Sequence, residues 1–249
     1  MKTYLQWLKE LNNGWLDLEF AGLGGIGGAV IPDILRTALY SDIDSSPVIK
    51  KTKLRVGLFD GDHYELRNIK RQDFRELGNK AEVLSESLQA KFPQTFFRFH
   101  PYFIGLTKSE KTLDIGSQVK EGQVWFLSPD NNKTRKIFND HFQKLQDGVL
   151  IAGGNNELDG MAHLYIRKEG ADVTPPLIFQ YPALENPDDL LPDELGCDRS
   201  EDTQLFVTNK DIAMAMLILF HQLLITPAEN SPSFFRIFCG VNSGKRRVE

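Results

Sequence analysis

A cluster of glycines near the amino terminus has the composition and spacing of a phosphate-binding turn. Residues 18–28 read LEFAGLGGIGG, so an apolar run ends in Gly22, Gly24, Gly25 and Gly27. A turn without side chains lets the main chain approach a ligand closely. A helix that begins there directs free N–H groups and its positive dipole end at the turn. A bare glycine pattern also occurs in turns that bind nothing, so the neighbouring residues have to decide between the two interpretations.

A second informative position follows the next apolar run, residues 54–59. Asp60 closes that run. In α/β nucleotide-binding folds, an acid at the end of the second strand accepts hydrogen bonds from the ribose hydroxyls. The structural alternative is a turn aspartate that caps the following backbone, and Asp62 is the better candidate for that role.

Polar residues that suit phosphate follow Asp60. Arg71 presents a fork of donors to phosphate oxygens. Asn68 and Gln72 can hold a phosphate or a base edge without adding charge, and Lys80 can reach a polyphosphate as a point charge. Isolated residues of these types are usually solvated, but their position after a glycine turn favours nucleotide binding.

A third acidic position follows the apolar residues 124–127. Asp130 and Asn131 come soon after them, with Thr134 and Arg135 close behind. A carboxylate there can hold Mg²⁺, which proteins bind through one or two carboxylates together with substrate phosphates. The alternative is a helix N-cap, since Asp or Asn before a helix stabilises its first turn. Both interpretations can hold for neighbouring residues.

Hydrophobic periodicity predicts the elements that position these residues. Helices are predicted at 4–11, 26–39, 74–77, 81–91, 108–119, 134–145 and 208–224. Strands are predicted at 16–21, 54–59, 94–99, 124–127, 149–152, 161–167 and 234–238. Residues 174–202, rich in proline and acids, are predicted to form an extended loop or crossover. Strands that alternate with helices indicate an α/β fold with a Rossmann-like, doubly wound, mostly parallel sheet, which binds ligands at the carboxyl ends of its strands.

The composition is that of a globular protein. The chain has 249 residues, 41 % hydrophobic and 25 % charged, with a formal net charge of −5. We expect a single domain over 1–249, with a nucleotide-binding half at 1–150 and a mixed-sheet, partner-binding half at 151–249. The charge balance predicts no nucleic-acid or membrane partner, and the longest uncharged apolar run, 212–224, is too short to span a bilayer. The amino terminus is amphipathic rather than a signal peptide, so the expected location is cytoplasmic.

The cysteines and histidines give no pattern of metal ligands. Cys197 and Cys239 are far apart, no C-x-x-C motif occurs, and the five histidines are scattered. No structural zinc is therefore expected. Cys239 lies in an apolar strand candidate and is predicted to be a buried core thiol. The basic tail, residues 245–247, is predicted to be a solvated terminus.

The order of these motifs resembles the ThiF/MoeB family, which includes the ubiquitin-activating enzymes. GLGGIG is followed by D-x-D-x-x-x-x-x-N-x-x-RQ, then by G-x-K-A-E and by DN-x-x-TR, over about residues 16–225. The segment from Asp60 to Gln72 is the most specific part. The insertion before the second strand and the absence of zinc cysteines are most similar to short ThiF-type proteins of bacterial mobile-element and ubiquitin-like operons. The resemblance implies additional carboxyl-terminal strands in a mixed sheet.

The resemblance also implies a reaction. Family members use ATP and Mg²⁺ to adenylate the C-terminal carboxylate of a small ubiquitin-like or sulfur-carrier protein, and they usually work as homodimers. Pyrophosphate leaves, and a sulfur nucleophile then attacks the acyl-adenylate. By motif position, the implied phosphate-binding glycines are Gly22, Gly24, Gly25 and Gly27, the ribose ligand is Asp60, the triphosphate ligands are Asn68, Arg71, Gln72 and Lys80, and the Mg²⁺ ligand is Asp130. Arg71, Lys80 and Asp130 are the implied catalytic residues.

One further residue, Cys197, is a candidate nucleophile, and two alternative functions remain open. The resemblance places Cys197 in a crossover loop that can carry a nucleophile, although the carboxylates around it would raise the pKa of the thiol. Family members often receive an arginine from the partner subunit's amino terminus, and residues 1–14 contain none. That absence favours a non-catalytic nucleotide-binding or scaffold subunit paired with an active homologue. The glycines and Asp60 also allow an NAD(P)-dependent oxidoreductase, but no catalytic Tyr/Lys or His constellation accompanies them.

Overall fold

A computed structural model of the chain describes residues 1–40, 53–106, 108–155, 158–188, 205–240 and 245–249. In chain order its elements are α1 (Tyr4–Leu11), β1 (Trp15–Ala21), α2 (Gly27–Tyr40), β2 (Lys53–Phe59), β3 (His63–Tyr64), β4 (Gly78–Asn79), α3 (Lys80–Lys91), β5 (Phe96–His100), β6 (Phe103–Gly105), β7 (Thr112–Asp114), β8 (Val124–Leu127), α4 (Asn132–Phe142), β9 (Gly148–Asn155), β10 (Asp159–Lys168), β11 (Ala171–Asp172), α5 (Leu177–Gln180), α6 (Phe206–Ile225), β12 (Arg236–Gly240) and β13 (Lys245–Val248). Short 3₁₀ helices lie at Leu66–Lys70, Ile115–Ser117 and Pro182–Leu184.

Nine of the described strands form one sheet. Their order is β13-β12-β10-β9-β8-β1-β2-β5, with β11 paired to β10. The strands from β9 to β5 run parallel, and β10, β12 and β13 are antiparallel. The predicted doubly wound, mostly parallel sheet with additional carboxyl-terminal strands is confirmed. Ala21 pairs with Phe59 on one side and with Leu127 on the other, so the carboxyl ends of β1, β2 and β8 lie side by side.

Helices cover both faces of this sheet and bury a hydrophobic core on each. On one face Phe20 stacks on Phe126 with ring centroids 4.5 Å apart, and Phe220 of α6 closes over them. On the other face Trp125 packs against Phe138 of α4. Parallel strands covered on both sides are buried along their length, as β1 is. None of the described helices has the length and apolar character needed to cross a membrane.

Two of the predicted helices are wrong, and local hydrogen bonding explains one of them directly. Within 108–119, β7 pairs with β6 and a 3₁₀ turn follows it. The side chain of Asp114 accepts the N–H of Gly116 at 3.0 Å, and the hydroxyls of Ser109 and Thr112 are 2.6 Å apart. Polar side chains that bond nearby backbone in this way compete with a helix. Residues 74–77, also predicted as a helix, form an irregular segment that leads into the β3–β4 pair.

The carboxyl-terminal third differs from the prediction in three details. The basic tail is not a solvated terminus but strand β13, and Arg246 forms an ion pair with Asp211 of α6. Helix α6 begins at Phe206, ahead of the predicted start. The described part of the predicted loop at 174–202 contains α5 and a 3₁₀ turn. Cys239 is 3 % exposed, which confirms the predicted core thiol.

A buried glutamate in β1 makes the stability of the protein depend on pH. Glu19 is 1 % exposed, and its Oε1 accepts hydrogen bonds from Arg98 of β5 and from Gln123. Its Oε2 fits against Gly57, where a Cβ would approach it to 1.8 Å. Burial raises the pKa of Glu19 to about 7, while the Arg98 guanidinium opposes the rise and the nearby Asp17 carboxylate adds to it.

We expect Glu19→Gln to flatten the pH dependence of stability. With its pKa raised from 4.5 to about 7, the folded chain holds this proton more tightly than the unfolded chain. The stabilising contribution is therefore complete below pH 4.5 and is lost as the pH rises through about 7. Between pH 5 and pH 8 the free energy of unfolding should fall by roughly 2–3 kcal/mol in the wild type. The variant should show no such fall when both are measured by chemical denaturation. Glu86→Gln, on the exposed side of α3, is the control and should follow the wild type. Identical behaviour of Glu19→Gln and wild type would contradict this assignment.

Candidate functional site

The glycine turn between β1 and α2 is fixed to the ends of two neighbouring strands. Gly22 has a φ of +82°, a left-handed conformation that favours glycine, and a Cβ there would lie 2.7 Å from the main chain of Ser128. Its N–H donates to the carbonyl of Phe59 at 3.1 Å, and its carbonyl accepts the Ser128 hydroxyl at 2.7 Å. A Cβ at Gly27 would lie 2.0 Å from the Gly22 carbonyl oxygen. These two glycines are therefore required by the shape of the turn.

The two glycines at the centre of the turn have different surroundings. A Cβ at Gly24 would meet only the Nε2 of Gln72, at 4.0 Å. A Cβ at Gly25 would lie 2.1 Å from Nδ2 of Asn209. Gly25 thus lets α6 pack directly onto the turn, whereas Gly24 leaves beside the main chain the space that a ligand would need.

Asp60 braces the turn. Its Oδ2 accepts the N–H of Leu23 at 2.6 Å, and its Oδ1 accepts the N–H of Asp62 at 2.8 Å. Burial raises the pKa of this carboxyl, and the Lys80 ammonium and the two N–H groups work against the rise. The hydrogen bond from the Asp62 N–H shows that Asp60 caps the following backbone, which was the structural alternative to ribose binding. Each carboxylate oxygen can accept a further hydrogen bond in addition to the one from the backbone.

The loop after Asp60 is held by the start of α3. Lys80 is the first residue of that helix, and its Nζ lies 3.1 Å from Oδ2 of Asp62. Asn79 donates from Nδ2 to the carbonyls of Asp60 and Asp62, while its Oδ1 accepts the N–H groups of Ala81 and Glu82. Sequence reasoning missed Asn79. Its position two residues before a predicted helix was the available signal, since Asn is a preferred N-cap.

The N-x-x-RQ segment forms a 3₁₀ helix followed by two residues that face the turn. Asn68 is buried, and its Oδ1 accepts the N–H of Glu65 at 2.9 Å, so it caps its own short helix. Burial lowers the pKa of the Arg71 guanidinium, while the carboxylates of Asp130 and Asp62 oppose that change. The Oε1 of Gln72 is buried, and it has no hydrogen-bond partner among the described residues.

A cleft opens beside the turn, between α2, α3, the segment 71–75 and the start of α6. Its empty volume is about 800 Å³, including the part open to solvent. Among the predicted site residues, those that line it are Gly24, Gly25, Arg71 and Gln72. Those that do not are Gly22, Gly27, Asp60, Asn68, Lys80 and Asp130. The structure thus separates residues that face the cleft from residues that brace the loops around it.

Asp130 and Asn131 have different surroundings. Asn131 is the N-cap of α4, and its Oδ1 accepts the N–H of Thr134 at 2.8 Å. Asp130 is exposed and lies close enough to Arg71 to affect the pKa of that residue. Within the part of the chain that the structure describes, no group of three or more His, Cys, Asp or Glu side chains could hold a metal ion.

Three further polar residues near the turn were missed by sequence reasoning. Asn209 of α6 is fully buried, and its Oδ1 accepts a hydrogen bond from Nδ2 of Asn155 at 3.0 Å. Its own Nδ2, which lies against Gly25, has no hydrogen-bond partner among the described residues. Arg135 donates from Nη2 to the carbonyls of Pro129 and Gly153. Arg135 belongs to the DN-x-x-TR motif, but no local pattern relates Asn155 to Asn209.

The structure describes one of the two cysteines considered above. Cys197 lies outside the described residues. Burial and the neighbouring Asp211 raise the pKa of the Cys239 thiol to about 12. Since the thiolate is the nucleophilic form, Cys239 is unsuited to attack an activated acyl group.

Comparison with known proteins identifies the fold. No protein-family model matches the chain, and no curated protein matches it. Among solved structures, MccB of E. coli matches with a TM-score of 0.63 and 16 % identity, covering 97 % of this chain and 63 % of MccB. MccB determined with ATP matches with a TM-score of 0.63 and 17 % identity, covering 97 % of this chain and 65 % of that one. PaaA matches with a TM-score of 0.60 and 16 % identity, covering 99 % and 65 %.

The chain has the ThiF/MoeB-like fold of MccB. This confirms the fold that the sequence resemblance implied. The chain spans less than two thirds of the length of MccB and PaaA. At these identities the similarity concerns the arrangement of strands and helices.

We expect Gly24→Ala and Gly25→Ala to differ in stability. The Cβ at residue 25 would overlap Asn209, so Gly25→Ala should lose about 1–3 kcal/mol of unfolding free energy, as overpacked sites do. Gly24→Ala should stay within about 0.5 kcal/mol of the wild type, since its Cβ enters open space. The double variant Gly25→Ala/Asn209→Ala should recover part of the loss, because the second change removes the obstructing amide. Equal stability of the two single variants in chemical denaturation would contradict this geometry.

Proposed function

We propose that this protein is an ATP-dependent adenylyltransferase that activates the C-terminal carboxylate of a small ubiquitin-like or sulfur-carrier protein. The fold supports the proposal, as do the solved structures of MccB with ATP and of MccB with AMPCPP and MccA. The observation that carries it is one cleft lined by the open main chain at Gly24 together with Arg71 and Gln72. Main-chain donors at a helix start and a guanidinium are the groups that hold phosphates.

In the proposed reaction a carboxylate oxygen attacks the α-phosphorus of ATP. The bond from that phosphorus to the oxygen bridging to the β-phosphate breaks, and pyrophosphate leaves with the electron pair. Such a transfer needs alignment and neutralisation of charge more than covalent help. Arg71 supplies a cation from the cleft. Lys80, whose Nζ lies on Asp62, supplies a second cation when phosphate competes for it.

The remaining residues orient the nucleotide. Asp60 holds the ribose through the acceptor capacity that its two backbone hydrogen bonds leave. Asn68 keeps the 3₁₀ helix in shape, so that Arg71 and Gln72 are presented at the turn. Mg²⁺, when bound, neutralises phosphate charge, and Asp130 would hold it with the phosphates as its other ligands. Asp130 is exposed, and its proximity to Arg71 supports a position near the proposed phosphates.

The finer parts of the proposal concern the partner and the second step. The carrier protein docks on the half formed by residues 151–249, and two copies of the chain form a homodimer. Cys197 is the proposed acceptor of the acyl group. A non-catalytic nucleotide-binding or scaffold subunit that pairs with an active homologue is the second candidate function.

We expect Asp130→Asn to remove the Mg²⁺ dependence of ATP binding. In the wild type Mg²⁺ should tighten ATP binding by about tenfold or more, because it offsets repulsion between phosphates and this carboxylate. The variant should bind ATP with similar affinity with and without Mg²⁺ in isothermal calorimetry. Asp140→Asn, which removes a carboxylate from α4, should behave as the wild type. A full Mg²⁺ effect in Asp130→Asn would remove the proposed metal role.

We expect Arg71→Ala to weaken ATP binding by roughly 10- to 100-fold, the effect of losing one charged hydrogen bond. Arg67→Ala is the matched control, since Arg67 lies on the 3₁₀ helix that precedes Arg71, pairs with Glu65 and is exposed. ATP–pyrophosphate exchange with a carrier protein that has a free C-terminus distinguishes the candidate functions. Exchange supports the enzyme, ATP binding without exchange supports the scaffold subunit, and preferential binding of NAD over ATP contradicts both.

A further inference from the structure

The cleft beside the glycine turn is a concentration of positive charge on an acidic protein. The cations that line it are Arg71, Arg75, Lys91 and Lys210, and the one carboxylate among its lining residues is Asp73. The chain as a whole has a formal charge of −5. The cations come from the segment after the 3₁₀ helix, from the end of α3 and from the start of α6. The fold therefore brings together cations that are far apart in sequence.

Three cations of the cleft form no ion pair in the part of the chain that the structure describes. No ion pair within 4.0 Å joins Arg75, Lys91 or Lys210 to a carboxylate of the described chain. Lys210 lies over the ring of Phe206, with its Nζ 5.3 Å from the centroid. These cations are exposed at the rim of the cleft.

Apolar side chains also line the cleft. Tyr64 and Phe74 stack with centroids 4.6 Å apart, and Val83 and Leu84 of α3 also line the cleft. Apolar walls reduce the local dielectric response and strengthen the attraction of the cations for an anion. The charge of this cleft is therefore suited to a highly charged anion.

The chemistry of adenylation indicates which anion this is, and this step rests on the proposed function. In a phosphoryl transfer the attacking and leaving oxygens lie roughly in line, on opposite sides of the phosphorus. Arg71 and Gln72, which the resemblance implies as triphosphate ligands, line the cleft where it meets the glycine turn. The leaving group is therefore on the cleft side of the α-phosphorus, and the carboxylate approaches from the other side.

We propose that this cleft is the binding subsite and exit path of the pyrophosphate leaving group, with Arg75, Lys91 and Lys210 forming its outer part. Once the bond between the α-phosphorus and the bridging oxygen has broken, the pyrophosphate passes from Arg71 to these cations. The acyl-adenylate stays at the turn. The outer cations thus act on the product and in the reverse reaction, and they lie beyond the phosphates of bound ATP.

The test compares two double variants of the full chain. Arg75→Ala/Lys210→Ala removes two rim cations, and Arg36→Ala/Lys120→Ala removes two exposed cations elsewhere. Calorimetry with inorganic pyrophosphate should show about tenfold weaker binding in the first variant and wild-type binding in the second. ATP affinity should change by less than about threefold in both. Product inhibition by pyrophosphate should weaken in the first variant alone.

Several outcomes would overturn this assignment. Wild-type pyrophosphate binding in Arg75→Ala/Lys210→Ala removes the subsite, and continued ATP binding and exchange would then leave the proposed function intact. Displacement of pyrophosphate by inorganic sulfate at equal concentration also overturns it, because the cleft would then be a general anion site. A wild-type protein that binds pyrophosphate but not ATP contradicts the proposed function instead.

Discussion

The site depends on one carboxylate at the end of β2. Asp60 takes the N–H of Leu23 on one oxygen and the N–H of Asp62 on the other, so that it holds the glycine turn and the following loop together. A buried carboxylate is costly unless donors and a cation surround it. Here two N–H groups and Lys80 do so. The hydrogen bond to Leu23 fixes the turn that precedes α2. The hydrogen bond to Asp62 fixes the loop that pairs with Lys80 at the start of α3.

The rest of the site divides into bracing and exposed groups. Asn79, Asn68 and Asn131 use their amides to cap local backbone, which satisfies groups that would otherwise be buried without partners. Arg71 faces the cleft, as does Gly24 through its open main chain. Polar atoms that remain unpaired inside a fold carry a free-energy cost. The Oε1 of Gln72 and the Nδ2 of Asn209 are two such atoms beside the turn.

Much of the fold was predictable because its signals are local. The glycine turn, the acid after the second strand and the alternation of strands with helices predicted a doubly wound sheet, and the structure has one. The failures occurred where short-range hydrogen bonds or distant partners decide. Asp114 and Ser109 bond nearby groups, which gives a turn in place of a helix at 108–119. The basic tail forms β13 because its backbone pairs with β12 and because Arg246 forms an ion pair with Asp211.

The sequence by itself determined the alternation of strands and helices in the front of the chain and the polar residues that follow each strand. Those features follow from periodicity and from backbone demands within a few residues. Only the tertiary structure decided which of those residues face the cleft and which brace it, and that Asn209 lies against Gly25. It also assembled Arg71, Arg75, Lys91 and Lys210 into one positive cleft. Such proximity is set by how helices pack across the sheet, and packing joins side chains that no local spacing relates.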